Sequence, residues 1–372
     1  MKTNRVLRLT LLIISFTLFG VSNFYGQSDS NIGQTPSSYF EQSELLTKIN
    51  SYINPLVAAN EFSGSILIAK GDSILFCRGY GFANRENGII NTPSTVYRIG
   101  SMTKQFTATA IMQLVEQNKL TTENKLSDFI SDFTNGNKIS IHQLLTHTSG
   151  IPNYTKLPDY NKTSTLPFTL PELINNIKYL PAEFEPGSKF KYNDSGYLLL
   201  TYIIEKISGL TYDQYLQNNI FKPLGMTNSG YDNYNKIINN RAAGYVFNSK
   251  TKEITNSNYI DMSIPQGAGG LYSTVLDLYK WDRSLYANNI LSRESKEKMF
   301  TFNIADYGYG WGKEIRKGGR ISIGHNGIIN GFTSIIHRFI NDDVVIIILA
   351  NIEDVKVNEV FDKIPAIYFN EE

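Results

Sequence analysis

A serine and a lysine, Ser101 and Lys104, lie three residues apart in the stretch "RIGSMTKQFTATAIMQLVE", where an apolar helical pattern begins. Residues three apart on a helix share a face, with Cβ atoms about 5–6 Å apart, so the two side chains can meet. A serine hydroxyl is a poor nucleophile without a base. A lysine amine can be that base when burial and the helix dipole keep it neutral. The pair indicates a nucleophile with its proton acceptor, and the alternative is a serine that only caps the helix.

The same Ser-x-x-Lys spacing occurs three more times, at Ser188–Lys191, Ser249–Lys252 and Ser295–Lys298. Those copies lie in loop-like or charged segments, and only Ser101 opens a strongly apolar helix. A lysine in the first turn of a helix is opposed by the positive end of the helix dipole. Residues that break a local rule are candidates for function, so context favours the copy at Ser101.

Two later segments carry further candidate groups. Tyr192, in "KFKYNDSGYLLL", stands just before a helical pattern, and a tyrosine beside a lysine cation can act as a general base or acid. The alternative is a packed tyrosine with its hydroxyl hydrogen-bonded, as for most of the 23 tyrosines. His325, in "SIGHNGIINGF", is expected after a short strand and before a glycine turn. Such a strand edge can offer backbone N–H groups to an oxyanion.

Six segments then appear in a fixed order: "IGSMTKQFTATAIMQLVE", "LLTHTSGIPNY", "FKYNDSGYLLL", "GAGGLYSTVLDLYKW", "YGYGW" and "GHNGIINGF". Together they resemble the serine β-lactamase-related family, which comprises class C β-lactamases, D-alanyl-D-alanine carboxypeptidases and related esterases. The resemblance covers about residues 45–350. It implies an α+β, β-lactamase/transpeptidase-like fold. An antiparallel sheet would be flanked by N- and C-terminal helices and carry a large, mainly helical insert, with the site in the groove between them.

The resemblance also implies roles for individual residues. Ser101 would be the acylated nucleophile, Lys104 its proton partner, and Tyr192 the general base or acid of a Tyr-x-Asn element. The mechanism would proceed through an acyl-enzyme and would need no metal or organic cofactor.

Substrate contacts follow from the same resemblance. His325, Asn326 and Gly327 match the Lys/His-x-Gly element of an edge strand, and the last two would contact substrate. The oxyanion hole would be formed by the backbone N–H groups of Ser101 and Ile328.

The sequence departs from the family pattern at two positions. Asp194 stands where an asparagine usually contacts an amide substrate, and a carboxylate cannot donate that hydrogen bond. It would instead hold Lys104 charged. His325 stands where true β-lactamases have a lysine, and a neutral histidine is a weaker anchor for a substrate carboxylate. Both departures favour a peptidase or esterase over efficient β-lactam hydrolysis.

The first residues differ in kind from the rest. Three basic residues precede the apolar run Leu9–Val21, which is too short for a comfortable membrane span. We interpret residues 1–26 as a signal peptide, cleaved after Ser22 or Gly26, and the alternative is an uncleaved anchor. Residues 27–43 are expected to be a flexible leader, and residues 44–370 one hydrolase domain with its helical part at about 102–300.

The composition excludes some classes of binding partner. Without residues 1–26 the chain has 32 basic and 34 acidic residues, a net charge of −2, which gives no attraction to nucleic acid. Cys77 is the only cysteine, so no intrachain disulfide can form. Its strand-like surroundings indicate a small packed side chain, and not a nucleophile. No stable membrane span is expected in the mature chain, and the oligomeric state stays open.

The coarse pattern predicts strands at both ends of the chain and helices between them. A helix is expected from Glu44 to Ala59, a hairpin at Gly71-Asp72, and a second hairpin at Asn341-Asp342 before a closing helix, Val355–Tyr368. The simplest assembly pairs the terminal strands in one antiparallel sheet. Residues 153–168 are expected to form a long polar loop.

Several residues have structural interpretations. His147 is expected to hold the turn after a helix, and His142 lies five residues from it, a poor spacing for a metal pair. Tyr309 and Trp311 are expected to pack. Gly267, Gly269 and Gly270 are expected to allow a tight turn near the groove.

The sequence therefore predicts an exported serine hydrolase that acts through an acyl-enzyme at Ser101 on a D-Ala-D-Ala-like peptide or an ester. Its substrate would be a small molecule or a peptidoglycan peptide. The alternatives are a β-lactamase and a non-catalytic ligand-binding member of the same fold. A Ser-His-Asp hydrolase and a zinc hydrolase are disfavoured, since neither a Gly-x-Ser-x-Gly nor a His-Glu-x-x-His motif occurs.

Overall fold

A computed structural model describes residues 36–371 of the chain, except Asn303, Asp354 and Val355. The expected signal peptide and most of the expected leader lie outside these residues. No helix in the described part is long and apolar enough to cross a membrane.

The chain alternates between short and long elements. Its α-helices are α1 (Pro36–Ala58), α2 (Thr103–Glu116), α3 (Ile141–Leu145), α4 (Tyr160–Thr163), α5 (Leu170–Asn175), α6 (Asp194–Ser208), α7 (Tyr212–Leu216), α8 (Gln266–Gly269), α9 (Val275–Ser284), α10 (Arg293–Met299) and α11 (Lys356–Phe369). Its strands are β1 (Gly64–Lys70), β2 (Ser73–Tyr80), β3 (Phe82–Asn84), β4 (Ile89–Ile90), β5 (Tyr97–Arg98), β6 (Gly230–Tyr231), β7 (Tyr245–Asn248), β8 (Glu253–Asn256), β9 (Leu271–Ser273), β10 (Gly312–Ile315), β11 (Ile321–Ile329), β12 (Phe332–Phe339), β13 (Val344–Ala350) and β14 (Ile352–Glu353).

The main sheet joins the two ends of the chain, as the sequence predicts. Its six antiparallel strands follow the order β10-β11-β12-β13-β1-β2. The N-terminal hairpin joins the C-terminal strands through β1 and β13, with Gly64 opposite Ala350 and Ile66 opposite Ile348. Strand β13, "VVIIILA", is buried throughout because both faces of the sheet are covered.

Helices cover both faces of the sheet, which confirms the predicted α+β architecture. On one face, α1 and α11 pack through residues such as Ile49, Ile53 and Ile364. On the other face lies the helical part of the chain. At its centre is α2, in which Thr103 to Leu114 are all buried. The site residues at the start of α2 are therefore held in the densest part of the molecule.

The middle of the chain is less purely helical than expected. Small sheets formed by β5-β9-β6 and by β14-β7-β8 lie within or against it. The segment "KLSDFISDF" forms only a 3₁₀ turn, Leu126–Asp128, because Ser127 N–H bonds the distant Gly136 carbonyl. The expected loop 153–168 contains the 3₁₀ turn Tyr154–Lys156 and α4. Helix α1 begins at Pro36, before the expected start.

Strand β11 corrects the interpretation of "GHNG" as a strand end before a glycine turn. The strand continues to Ile329, with Gly327 opposite Ser334 and Ile328 opposite Thr333. The turn comes later, at Gly331, where φ is +78°. Gly327 is required for a different reason: a Cβ there would lie 2.1 Å from the Ile99 carbonyl oxygen.

Cys77 lies half-buried on β2, as the strand-like pattern predicts. Burial raises the pKa of its thiol to about 11, so the sulfur stays protonated at neutral pH. This chemistry agrees with a packing role.

Candidate active site

Ser101 lies on the 3₁₀ turn Gly100–Met102, directly before α2. Its hydroxyl does not cap the helix, since neither the turn nor α2 has a side-chain cap bond. This finding corrects the idea that Ser101 itself opens α2. The turn packs against β11, because Gly100 has φ +49° and a Cβ there would lie 2.9 Å from the Ile328 nitrogen. Glycine thus allows the serine and the edge strand to approach.

Lys104 is fully buried beneath the serine and has three hydrogen-bond partners. Its Nζ lies 3.0 Å from Ser101 Oγ, 2.8 Å from Asp194 Oδ1 and 2.8 Å from the Ala268 carbonyl oxygen. Ala268 lies in α8, within the glycine-rich turn expected near the groove. A Cβ on Gly267 would lie 2.3 Å from Thr201 Oγ1, so the turn packs too tightly for a larger residue.

Lys104 is charged in the resting site, whereas a lysine that acts as a base must be neutral. Burial acts to lower its pKa, but the Asp194 carboxylate and Tyr192 outweigh burial, and the net pKa is raised. Burial likewise acts to raise the pKa of Asp194, and Lys104 reverses this to a lowered value. Lys104 is therefore an ammonium paired with a carboxylate. The condition for Lys104 to act as a base, a neutral amine, is not met in the resting site, and the interpretation that Asp194 holds it charged agrees with the geometry.

Tyr192 stands directly before α6, whose first turn is capped by Asn193 through its side-chain oxygen and Gly196 N–H. Its ring centre lies 4.8 Å from Lys104 Nζ. The hydroxyl interacts with both Lys104 and Ser101. Burial raises the pKa of Tyr192, Lys104 opposes the rise, and the net pKa stays above its ordinary value. The phenol is protonated in the resting site.

His325 lies on β11 and has both ring nitrogens engaged. Nδ1 is 2.6 Å from the Asn326 carbonyl oxygen, and Nε2 is 2.9 Å from Tyr307 Oη. Because a carbonyl only accepts, Nδ1 carries the proton and Nε2 accepts from the tyrosine hydroxyl. Burial, followed by the charge of Lys104, lowers the pKa of His325 to about 4. The ring is neutral at pH 7 and offers no free N–H.

The neighbours of His325 hold the edge strand in place. Asn326 Oδ1 lies 3.2 Å from Nε2 of His337, which is buried on β12. Ser334 Oγ donates to the Ile99 carbonyl at 2.7 Å, next to the contact that requires Gly327. These contacts fix the edge strand beside the serine turn, and Ile328 lines the same cleft as Ser101.

Tyr307 is a site residue that the sequence reasoning missed. The segment "YGYGW" directed attention to Tyr309 and Trp311, which pack as expected, with Tyr309 Oη 2.7 Å from His142 Nδ1. Tyr307 instead lines the cleft. Residues two apart share a face on a regular strand, but Tyr307 forms only an isolated bridge with Gly312, and no described strand spans the two tyrosines. No local pattern distinguishes the two tyrosines.

The site opens into a cleft of about 390 Å³. Its described lining residues are Ser101, Tyr192, Tyr307, Gly312, Glu314, Gly324, His325, Asn326, Ile328 and His337. Lys104 lies beneath Ser101. Asp194 and Gly327 lie behind the lining residues and are not themselves part of the lining. Glu314, also missed, is the only charged side chain among these lining residues, and it pairs with Arg316 at 2.5 Å. Within the described ranges, no cluster of three or more histidine, cysteine or acidic residues is placed to hold a metal ion.

Comparison with known proteins identifies the class. The Beta-lactamase family model matches residues 49–364. The putative penicillin-binding protein PbpX of Bacillus subtilis is 35% identical over 320 residues, 85% of this chain and 77% of that protein. The teichoic acid D-alanine hydrolase of Staphylococcus aureus is 26% identical over 327 residues, 85% of this chain and 77% of that protein.

A solved structure agrees with these sequence matches. The octameric penicillin-binding protein homologue from Pyrococcus abyssi superimposes with a TM-score of 0.73 at 32% identity, covering 82% of this chain and 73% of that one. Fold and site together define a serine hydrolase of the β-lactamase/transpeptidase-like class. The chain belongs to the Beta-lactamase family.

Proposed function

We propose that this protein is an exported hydrolase that cleaves an ester, or a D-Ala-D-Ala-like peptide bond, through an acyl-enzyme at Ser101. One observation carries the proposal: the Ser101 hydroxyl faces an open cleft while lying 3.0 Å from a fully buried lysine amine. A surface serine that happened to lie near a lysine would not have that lysine buried and paired with Asp194.

The resting charges suggest the route of the proton. Lys104 is an ammonium and Tyr192 a neutral phenol, so neither is a ready base. As Ser101 Oγ bonds to the carbonyl carbon, its proton passes to Tyr192 Oη, which gives its own proton to the leaving group. The bond from carbon to the leaving group then breaks. The Lys104 ammonium stabilises negative charge that develops on the tyrosine oxygen during this exchange.

Hydrolysis of the acyl-enzyme reverses the relay. A water attacks the acyl carbon, its proton passes through Tyr192, and Ser101 regains a proton as the acid departs. The backbone N–H groups of Ser101 and Ile328 would hold the oxyanion in both halves of the reaction, since both residues border the cleft where the turn meets β11.

The charges of the cleft favour the ester among the candidate substrates. β-Lactams and D-Ala-D-Ala peptides carry a carboxylate, which needs a cation. His325 is neutral with both ring nitrogens engaged, and Glu314 is the only charged side chain on the described lining. A substrate without a carboxylate, such as a D-alanyl ester, suits such a cleft better. The matched relative named teichoic acid D-alanine hydrolase supports a D-alanyl group as the acyl part.

Export is the second part of the proposal. It rests on the signal-like pattern of residues 1–26. N-terminal sequencing of protein recovered outside the cytoplasm tests it. A new terminus after Ser22 or Gly26 is expected, and an intact Met1 on the exported protein would contradict cleavage.

Intact-mass measurements test the nucleophile. The mature protein is incubated with D-alanine methyl ester and, separately, with benzylpenicillin. Ser101→Ala is expected to abolish ester turnover and any adduct, while Ser188→Ala, in another Ser-x-x-Lys copy, retains both. Retained turnover in Ser101→Ala would contradict the proposal. Rapid penicillin consumption by the unmutated protein would favour the β-lactamase alternative. Saturable binding without any acylation would favour a binding module.

A further inference from the structure

His147 holds the backbone on both sides of Tyr192. Its carbonyl oxygen accepts Lys191 N–H at 3.0 Å, and its Nδ1 accepts Asn193 N–H at 3.1 Å. Its ring lies against the Tyr192 ring, with centroids 4.3 Å apart. One residue thus contacts the residue before the tyrosine, the tyrosine itself and the residue after it.

The backbone of His147 is unusual. Its φ is +58°, in the left-handed region that few residues other than glycine and asparagine adopt. A residue held there persists only where its surroundings over-determine it. The two hydrogen bonds to residues 191 and 193 are such surroundings. The prediction that His147 holds the turn after a helix therefore agrees with the geometry, but the turn it holds also carries Tyr192.

The ring of His147 is a neutral acceptor. A backbone N–H only donates, so Nδ1 is unprotonated and the ring proton is on Nε2. Nε2 is buried and has no hydrogen-bond partner among the described residues. Burial, followed by the charge of Lys104, holds the pKa of His147 well below its ordinary value. The bond to Asn193 therefore persists across the pH range in which a hydrolase works.

We propose that His147 is a positioning residue that fixes the Tyr192 hydroxyl between Ser101 and Lys104 for proton delivery to the leaving group. It touches no substrate and acts only through Tyr192. This inference rests on the proposed function, because it assigns His147 to the proton relay described above.

The inference has a specific chemical consequence. An alkoxide leaving group must be protonated as it departs, whereas p-nitrophenolate leaves without a proton. Both esters need the Ser101 proton removed, but only the alkyl ester also needs a proton delivered to its leaving group, so displacing Tyr192 should slow acylation by the alkyl ester more than acylation by a p-nitrophenyl ester of the same acyl group. A general loss of structure would slow both equally.

Three variants separate acceptor loss from backbone strain. His147→Gly tolerates the positive φ but has no acceptor, and His147→Asn tolerates it and places Oδ1 where Nδ1 was. His142→Ala is the matched control, because it breaks a histidine–tyrosine hydrogen bond five residues away without touching Tyr192. Each variant is assayed with D-alanine methyl ester and with the p-nitrophenyl ester of D-alanine, and its melting temperature is recorded.

In His147→Gly, kcat/KM for the methyl ester, which reports acylation, should fall about 100-fold, and kcat/KM for the p-nitrophenyl ester should fall less than about 10-fold. His147→Asn should recover most of the loss, and His142→Ala should keep both rates. Adding Tyr192→Phe to His147→Gly should cause no further loss beyond Tyr192→Phe alone, because the two residues act as one unit.

Three results would overturn the inference: equal losses on both esters, additive losses in the double variant, or an asparagine variant no better than glycine. If His147→Gly does not fold, His147→Gln replaces it, since its oxygen lies near the Nε2 position and cannot reach Asn193 N–H in the same way. Ser101→Ala separates this test from the proposed function. Its labelling result would stand even if His147 proved to be only structural.

Discussion

Tyr307 donates its hydroxyl hydrogen bond to Nε2 of His325 across 2.9 Å. The other ring nitrogen donates to the Asn326 carbonyl, so the imidazole is neutral and occupied on both sides. The edge strand therefore presents an uncharged ring to the cleft. The relationship links a residue of the loop before β10 to the edge strand and sets the charge of the cleft.

Tyr307→Phe should raise the pKa of His325 from its value of about 4, because Nε2 loses its donor and becomes free to accept a proton. A higher pKa gives a larger cationic fraction at any acidic pH. Benzylpenicillin should then acylate Ser101 faster as the pH falls from about 7 to about 5, by roughly tenfold for each pKa unit gained. Intact mass against time at each pH measures this rate. A pH profile identical to that of the unmutated protein would contradict the assigned bond.

Asp194→Asn restores the asparagine expected from the family pattern and removes the partner of Lys104. Burial, the largest influence on the amine, is then opposed only by Tyr192, so the pKa of Lys104 should fall. A neutral lysine can accept the serine proton directly, and the rising limb of kcat/KM against pH should move to lower pH. Steady-state rates on D-alanine methyl ester at a series of pH values test this shift. An unmoved limb would show that Asp194 does not control the charge of Lys104.

The same pair predicts how stability depends on pH. The pKa of Asp194 is lower in the folded protein than its ordinary 3.8, so its contribution is present above that pH and lost as the pH falls through the folded value. The pKa of Lys104 is higher than 10.5, so its contribution is present below that pH and lost as the pH rises through the folded value. Both contributions are complete at neutral pH.

Asp194→Asn should therefore lower the free energy of unfolding most at neutral pH, by at most about 3–5 kcal/mol, the cost of a buried charge without its partner, and by less as Lys104 loses its proton. The difference from the unmutated protein should shrink as the pH falls below 3.8, the ordinary pKa of Asp194, and disappear below its lower folded-state pKa, where the carboxyl is protonated in both states. Urea unfolding at several pH values measures this difference. A constant difference across that range would indicate that packing, and not charge pairing, is the cause.

Gly327→Ala should damage activity more than stability. The added Cβ would lie 2.1 Å from the Ile99 carbonyl oxygen and 2.5 Å from Ser334 Oγ, so β11 must move away from the serine turn. Loss of one oxyanion donor typically costs about 100-fold or more in kcat. Gly88→Ala is the control: nothing lies within 4 Å of the added atom, although the positive φ remains. Steady-state kinetics and thermal melting of both variants separate a loss of activity from a loss of stability. Equal kcat values in the two variants would contradict the placement of the Ile328 N–H in the oxyanion hole.

Much of the fold followed from the sequence because its signals are local. The continuous apolar runs of β1 and β13, the turns at Gly71 and Asn341, and the helical spacing after Ser101 each act within a few residues. The order of the motifs along the chain then left few possible arrangements of these strands and helices in the fold. The interpretation of "GHNG" as a strand end failed because glycine commonly marks a turn, whereas Gly327 serves a close approach to Ile99.

In the candidate site, too, some features follow from local sequence and others only from the tertiary structure. The sequence by itself determined which groups are the candidates for the chemistry: Ser101, Lys104, Tyr192 and His325, whose types and order are read directly from the chain. Only the tertiary structure decided their states. Lys104 is charged because Asp194, ninety residues away, lies 2.8 Å from it, and His325 is neutral because burial and the charge of Lys104 lower its pKa to about 4. Protonation depends on burial and on partners distant in sequence, and both exist only once the chain has folded.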